Sequence, residues 1–203
     1  MPFVPAVSAP RTLVLLAALG LMQACTPVPV PVAVLPEALP VMGWDARPEA
    51  DVWTETTLEA LQNEGVALLS EVPGDIGTWC PGYIQAEPSE RAAFWSGLLS
   101  ALARHESTWN PQAVGGGGQW FGLVQISPRT ARGYGCAADS GSELQDGAAN
   151  LECAVRIAAH TVLRDGVVAA GGGGLAADWG PFASASKRAQ MAAFTSTQSY
   201  CQG

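Results

Sequence analysis

Histidine is nearly absent from this chain, with two in 203 residues. That argues against a histidine-built metal centre, and the five cysteines show no Cys-x-x-Cys spacing to supply a zinc site instead. Charge is scarce as well. Only 14% of residues are charged and they sum to −8, which leaves no basic surface for nucleic-acid phosphates. The hydrophobic share of 48% excludes a disordered acidic tail, because the chain can bury a core. The length suits one domain. Internal repeats are missing. The all-glycine runs at 115–118 and 171–174 are not followed by Gly-Lys-Ser/Thr, so neither is a phosphate-binding P-loop.

The early apolar run, Leu13 to Met22, is ten residues long, where a membrane-spanning helix needs about 20. One cation, Arg11, precedes it, which is the layout of a secretory leader. Met22-Gln23-Ala24-Cys25 follows at once and resembles a bacterial lipobox. The resemblance implies that residues 1–24 are removed and that Cys25 carries a lipid. It implies an exported, periplasmic protein held on a membrane, and Thr26 in place of aspartate points by the same analogy to the outer membrane. Prolines 27, 29, 31, 36, 40 and 48 make residues 25–49 an extended tether, and residues 50–203 are expected to fold. Setting Cys25 aside leaves four cysteines, an even number that suits two disulfides in an exported protein. Three pairings are possible. The favoured one joins Cys136 to Cys153 across a local loop and Cys80 to Cys201 across the domain.

Charge is unevenly spread. Residues 37–90 hold eleven acids and one base, whereas residues 91–203 hold seven acids and eight bases. The acidity therefore belongs to the first part, where the spacing of Leu58, Leu61, Leu68, Leu69 and Val72 predicts a helix over 51–72. Thr56-Thr57-Leu58-Glu59 has capping-box spacing near its start, and Pro73-Gly74 ends it.

The informative stretch begins at Ser89, which can N-cap a helix opening at Glu90. Trp95, Leu98, Leu99 and Leu102 form its apolar stripe, and four residues beyond Leu102 the same face reaches Glu106. Asn110-Pro111 stops the helix. A carboxylate in the last turn of a buried stripe is pushed toward its neutral form by desolvation and by the negative end of the helix dipole. A general acid working near neutral pH needs that shift. His105-Glu106 does not open a zinc-protease motif, since Trp109 stands where the second histidine belongs. His160 falls within a helix predicted over 151–164 and has no partner of that kind.

Glu106-Ser107-Thr108-Trp109-Asn110-Pro111-Gln112-Ala113 resembles the E-S-x-aromatic-N-P-x-A signature of the soluble lytic transglycosylase (SLT) catalytic domain, part of the lysozyme-like superfamily. Gly122-Leu123-Val124-Gln125-Ile126-Ser127-Pro128-Arg129-Thr130-Ala131 is similar to that family's G-L-M-Q-I-x-P-x-T-A, and Asn150-Leu151 to its Asn-Ile at a later helix. The resemblance covers about 90–165. It implies a mainly α, α+β lysozyme-like fold in which a small β-hairpin, 113–127, lines a glycan cleft. It makes Glu106 the catalytic acid and base, has Ser107 orient Glu106 or the sugar, and places Gln125 on the glycan. Gly122 is expected to let the backbone approach the sugar. Trp109, Trp120 and Trp179 are candidate sugar platforms. No metal or cofactor is implied. The implied partners are peptidoglycan glycan strands and, through Cys25, a membrane.

One departure is visible. Where the family has A-Y-N-A-G, this chain reads Ala176-Ala177-Asp178-Trp179-Gly180, without a tyrosine. A second feature concerns the chemistry. Between Glu106 and Asp139 there is no acid, while two-carboxylate glycosidases need a pair. One carboxyl group suits a lytic reaction, in which Glu106 protonates the glycosidic oxygen and then deprotonates the sugar's own C6 hydroxyl to close a 1,6-anhydro ring. A lysozyme-type hydrolase and a non-catalytic peptidoglycan-binding lipoprotein are the alternatives. The acidic charge favours a tethered wall-remodelling enzyme over a secreted attacker, which gains from a basic surface.

Overall fold

The structure, a computed structural model, describes residues 1–3 and 38–203. Residues 4–37, which hold the rest of the leader, Cys25 and the tether up to residue 37, lie outside the described residues. Residues 38–203 form helices α1 (Ala50–Gln62), α2 (Val66–Ser70), α3 (Ile76–Trp79) and α4 (Pro88–Glu106), then strands β1 (Val114–Gly115) and β2 (Trp120–Phe121). Helices α5 (Pro128–Tyr134), α6 (Gly147–Asp165) and α7 (Ala185–Ser196) follow, with short 3₁₀ turns between α6 and α7 and at Ser199–Cys201. The class is mainly α with one small antiparallel hairpin.

Helix α4 is the axis of the fold. Every residue from Ala92 to Ala103 is buried, so the helix is enclosed on all sides rather than along one stripe. Its alanines, serines and Gly97 allow α1, α2 and α7 to pack close, while Trp95, Leu98, Leu99 and Leu102 supply the bulk of its apolar surface. Each such large side chain is worth roughly 1.5–3 kcal/mol on burial. The helix starts earlier than Ser89. Pro88 takes the first helical position and the Glu90 carboxylate accepts the Glu87 N–H at 2.9 Å. Proline's fixed φ and missing N–H suit that position. Beneath α4, Tyr83 donates its hydroxyl to the Leu68 carbonyl at 3.0 Å and accepts from the Trp95 indole at 2.9 Å.

The helix predicted over 51–72 is two helices. Asn63 and Gly65 break it, and a Cβ on Gly65 would run into the Val155 side chain of α6. Thr57 does not open the helix. It lies buried in the middle of α1 and donates its hydroxyl to the Trp53 carbonyl at 2.6 Å. Packing also begins before residue 50. Met42 and Trp44 are buried, Trp44 donates its indole N–H to Thr54 Oγ1 at 2.9 Å, and the Gly43 N–H bonds Ser100 Oγ of α4 at 2.9 Å. The packed unit thus takes in the last part of the expected tether.

Helix α6 is capped by Asp146, which accepts the Ala149 N–H at 3.0 Å, and ends at the left-handed Gly166. It packs against α1, α2 and α5. Helix α7 packs on α4 with Met191 buried, and Thr195 donates its hydroxyl to the Trp79 carbonyl at 2.7 Å. Both favoured disulfides are present, Cys80–Cys201 spanning 121 residues and Cys136–Cys153 spanning 17.

Candidate active site

Glu106 is the last residue of α4, half-buried at the point where the chain leaves the core. Burial pushes its carboxyl up to about 7, and the only opposing influence is the positive charge of Lys187 on α7. At neutral pH the group is therefore divided between acid and base. The expected direction is present, and desolvation is its main cause.

The chain turns sharply after Glu106. Thr108 and Trp109 both have left-handed backbone, with φ of 55° and 57°, and Gln125 has 53°. Among the described residues these are the non-glycine positions of positive φ, and all three flank Glu106 or its facing hairpin. L-residues pay on the order of 1–2 kcal/mol for that conformation, so the surrounding bonds must hold it.

Ser107 supplies several of those bonds. Its hydroxyl lies 2.8 Å from the Leu123 carbonyl and 3.2 Å from the Ala103 carbonyl, and it accepts the Asn110 N–H at 3.2 Å. It ties the end of α4 to the hairpin and so fixes Glu106 relative to the facing wall. The bonds of Ser107 run to backbone, and its effect on Glu106 is through this placement.

The hairpin pairs Val114 with Phe121 and Gly115 with Trp120, and folds back again through a Phe121–Ile126 bridge. Asn150 of α6 holds it from behind. This fully buried amide accepts the Val124 N–H at 3.0 Å and donates to the Phe121 and Leu144 carbonyls, both at 3.0 Å. Gly122 packs directly on this clip. With φ at 82°, a Cβ there would collide with the Leu144 carbonyl and the Asn150 amide. The glycine is needed for close approach to the protein's own α6.

Gln125 lies along the inner side of the hairpin. Its amide nitrogen donates to the Gly122 carbonyl at 2.9 Å and to the Ala113 carbonyl at 3.2 Å, and its Oε1 lies over Gly115. Trp120, 46% exposed, covers Gly116 with its ring. Trp179 is buried and donates its indole N–H to the Val124 carbonyl at 2.8 Å, so it braces the wall from within. Trp120, Gln125, Asp178 and Trp179 all line one small hollow of about 30 Å³. Trp109 is not with them. Its indole donates to the Ser100 carbonyl at 2.8 Å, and its ring faces Gly43 and α7 on the other side of the helix end.

Asp178, at the place where the family tyrosine is missing, accepts a hydrogen bond from the Tyr134 hydroxyl at 2.8 Å. Tyr134 is pushed up to about 12, first by burial and then by Asp178. A tyrosine thus stands beside this wall, brought from α5 rather than from the segment before α7. The residue that sequence reasoning missed is Lys187. It is the single lysine of the chain, a signal that pattern alone could have raised. Among the described residues no group of three or more His, Cys, Asp or Glu is arranged to hold a metal. A larger hollow of about 690 Å³ lies between α3, the 169–172 turn and α7. Its Asp75 is already engaged by the Val168, Ala169 and Ala170 N–H groups and its Arg188 by the Phe182 carbonyl.

A carboxyl group poised at neutrality on the end of a buried helix, tied through Ser107 to a short hairpin, sits in a mainly α, lysozyme-like fold. Residues 83–173 match the family model of the Transglycosylase SLT domain. Among solved structures the chain is similar to Bd0314 DslA. The wild-type form 2 is 27% identical and two glutamate-to-glutamine mutants are 26% identical, each with a TM-score of 0.73, covering 81% of this chain and 100% of that chain. No curated protein matches it. The SLT match ends before Asp178, Trp179 and α7, so Lys187 lies beyond it.

Proposed function

We propose that this protein cleaves the β-1,4 bond between MurNAc and GlcNAc of peptidoglycan and leaves a 1,6-anhydro-MurNAc end. The observation that carries the reading is Glu106 itself, a carboxyl group held near 7 at the end of the central helix, with no acid in the following 32 residues. Protonated Glu106 donates to the glycosidic oxygen as the bond to the anomeric carbon breaks. The N-acetyl group of the same sugar supports the positive charge that develops. Glu106, now ionised, removes the proton of the C6 hydroxyl, whose oxygen attacks the anomeric carbon and closes the ring. Intramolecular attack has the advantage of high effective molarity. Gln125 through its Oε1 and Trp120 through its exposed ring contact the glycan, while Ser107, Gly122, Asn150 and Trp179 hold the wall in place.

Asp178 favours a second reading. A carboxylate does fold back to the hairpin side, where it lines the hollow beside Gln125. If it positions a water, the outcome is hydrolysis. Mass spectrometry of muropeptides released from sacculi separates the two, because the anhydro product is lighter by one water. Anhydro ends that vanish in Glu106→Gln support the lytic reaction. Reducing ends that vanish in Asp178→Asn establish a hydrolase. Sacculi that are bound but never cut leave a binding protein.

The same proposal includes an exported, periplasmic chain anchored in the outer membrane by a lipid on Cys25, with residues 1–24 removed. Incorporation of labelled fatty acid into the wild-type chain and not into Cys25→Ala tests it, and equal labelling of both overturns it.

A further inference from the structure

The chain that follows the hairpin is fastened to α6 at both ends. The Phe121–Ile126 bridge leads directly into α5, where Ser127 Oγ accepts the Thr130 N–H at 3.0 Å. Ser127 and Thr130 line the same small hollow as Trp120, Gln125 and Asp178. The wall is therefore continuous with α5, and its shape follows the place where α5 is held. Asn150 clips the front of this strip through Phe121 and Val124. The Cys136–Cys153 disulfide closes its end, and Cys153 lies about one turn beyond Asn150 on α6.

Helix α5 has little of its own to hold it. It is seven residues long and buries Ala131, and a helix that short does not persist without tertiary support. A Cβ on Gly133 or Gly135 would meet no atom within 4 Å among the described residues, so its last turn borders open space. Between those glycines, Tyr134 donates to Asp178 at 2.8 Å and sets its ring edge-on to His160 of α6 at 5.5 Å. Cys136 follows two residues later and pins that turn. The two disulfides also differ in access. Cys136 is 9% exposed, between exposed Gly135 and Ala137, while Cys80 and Cys201 are 0% exposed. The ends joined by Cys80–Cys201 are bound a second time, by the Gly82 N–H on the Cys201 carbonyl at 2.8 Å and by Thr195 on Trp79. An attacking thiolate needs access to a sulfur, so the Cys136–Cys153 bond is the one it reaches first.

We propose that the Cys136–Cys153 disulfide is the fastening that shapes the hollow of the glycan wall, through α5 and the Tyr134–Asp178 contact, and that cleavage depends on this bond staying oxidised. Reduction takes two electrons and two protons from an external dithiol, which closes to a cyclic disulfide, and leaves two thiols on the chain. The freed end of α5 then opens locally while α1, α4, α6 and α7 stay packed. The inference rests on the reading of the hairpin as the glycan wall.

The test uses the full chain under graded dithiothreitol, with alkylation to mark the reduced cysteines. Cys136 and Cys153 should be alkylated before Cys80 and Cys201. At that stage the helical signal should be kept, while amide exchange over residues 127–136 quickens about tenfold. Release of muropeptides from sacculi should fall about tenfold, the scale of a displaced binding wall, and reoxidation should restore both. Cys136→Ala with Cys153→Ala should behave like the reduced chain. Cys80→Ala with Cys201→Ala should keep slow exchange over 127–136. Tyr134→Phe, which keeps the bond and loses one hydroxyl, should cut about threefold more slowly. The proposal is overturned if Cys80 and Cys201 are reduced first, or if the variant without Cys136 and Cys153 keeps wild-type exchange and cutting. It is equally overturned if that variant unfolds as a whole, or if Tyr134→Phe cuts like the wild type. Should the oxidised wild type cut nothing, the lytic reading falls, and exchange over 127–136 decides the fastening by itself.

Discussion

Glu106, proposed above as acid and base, also carries a stability signature. Its folded value, about 7, lies above the ordinary carboxylate value of 4.5. A raised group favours the folded state fully below its unfolded value and loses that contribution as the pH climbs through the folded value. Above pH 7 the ionised, half-buried carboxylate therefore works against folding, by about 2 kcal/mol after allowance for its partial exposure. Glu106→Gln should melt roughly 4–8 °C higher than wild type at pH 8 and at nearly the same temperature at pH 4, while its turnover of sacculi falls by roughly 10²–10⁴. A variant that melts like wild type at both pH values would place Glu106 in water. In the active chain, Lys187→Gln removes the one charge that favours ionised Glu106, so the basic limb of the pH–rate profile should move to higher pH. A limb that stays in place would mean that Lys187 acts elsewhere. Much of this was legible beforehand, since the face that runs from Trp95 to Leu102 continues to Glu106 by helical spacing alone. Lys187 stood out only as the single lysine; its relation to Glu106 was not legible, because it depends on how α7 lies against α4, and no local pattern encodes that.

At the level of elements, the site depends on a clip between α6 and the hairpin. Asn150 satisfies three backbone groups of the segment that carries Gln125 and of the turn before α6. Asn150→Ala leaves those groups buried and unbonded and should cost about 3 kcal/mol, measured by denaturant unfolding. Gly122→Ala forces a methyl group into the same clip at a positive φ and should cost at least about 3 kcal/mol, with activity lost in the fraction that stays folded. If either variant unfolds like wild type, the clip does not hold the wall. The motif around Gly122 and Gln125 marked this hairpin in the sequence, but it did not show which way each side chain served. Gly122 and Trp179 look like substrate contacts when only their neighbours in sequence are known. In three dimensions both face the protein, because a two-residue strand pair cannot hold itself and must be braced by α6 and the Trp179 indole. The split between α1 and α2 was hidden for a similar reason. The leucine spacing runs through Asn63–Gly65, and only the close passage of Val155 makes the break necessary.

For the whole molecule, the two disulfides close loops of very different length. In the chain-entropy model the 121-residue loop is worth about 5 kcal/mol and the 17-residue loop about 3 kcal/mol. Replacing Cys80 and Cys201 by alanine should therefore lower stability more than replacing Cys136 and Cys153, a ranking that thermal unfolding of the two variants would check. An equal loss from both would mean that strain in the folded state, rather than loop length, sets their worth. The pairing was readable because four cysteines in an exported chain leave few choices. The packing of residues 42–49 was not, because the prolines suggested a free spacer and concealed Met42 and Trp44. The connectivity has one more implication. The short bridge is nested inside the long one, so a chain delivered N-terminus first presents Cys80 and Cys136 together while Cys201 is still to come. An oxidant that joins cysteines in order of arrival makes the wrong pair. The native set is reached only if Cys80 is kept reduced until the final residues emerge, or if an isomerase later undoes the premature bond, and yield in an oxidising compartment will follow the supply of that isomerase.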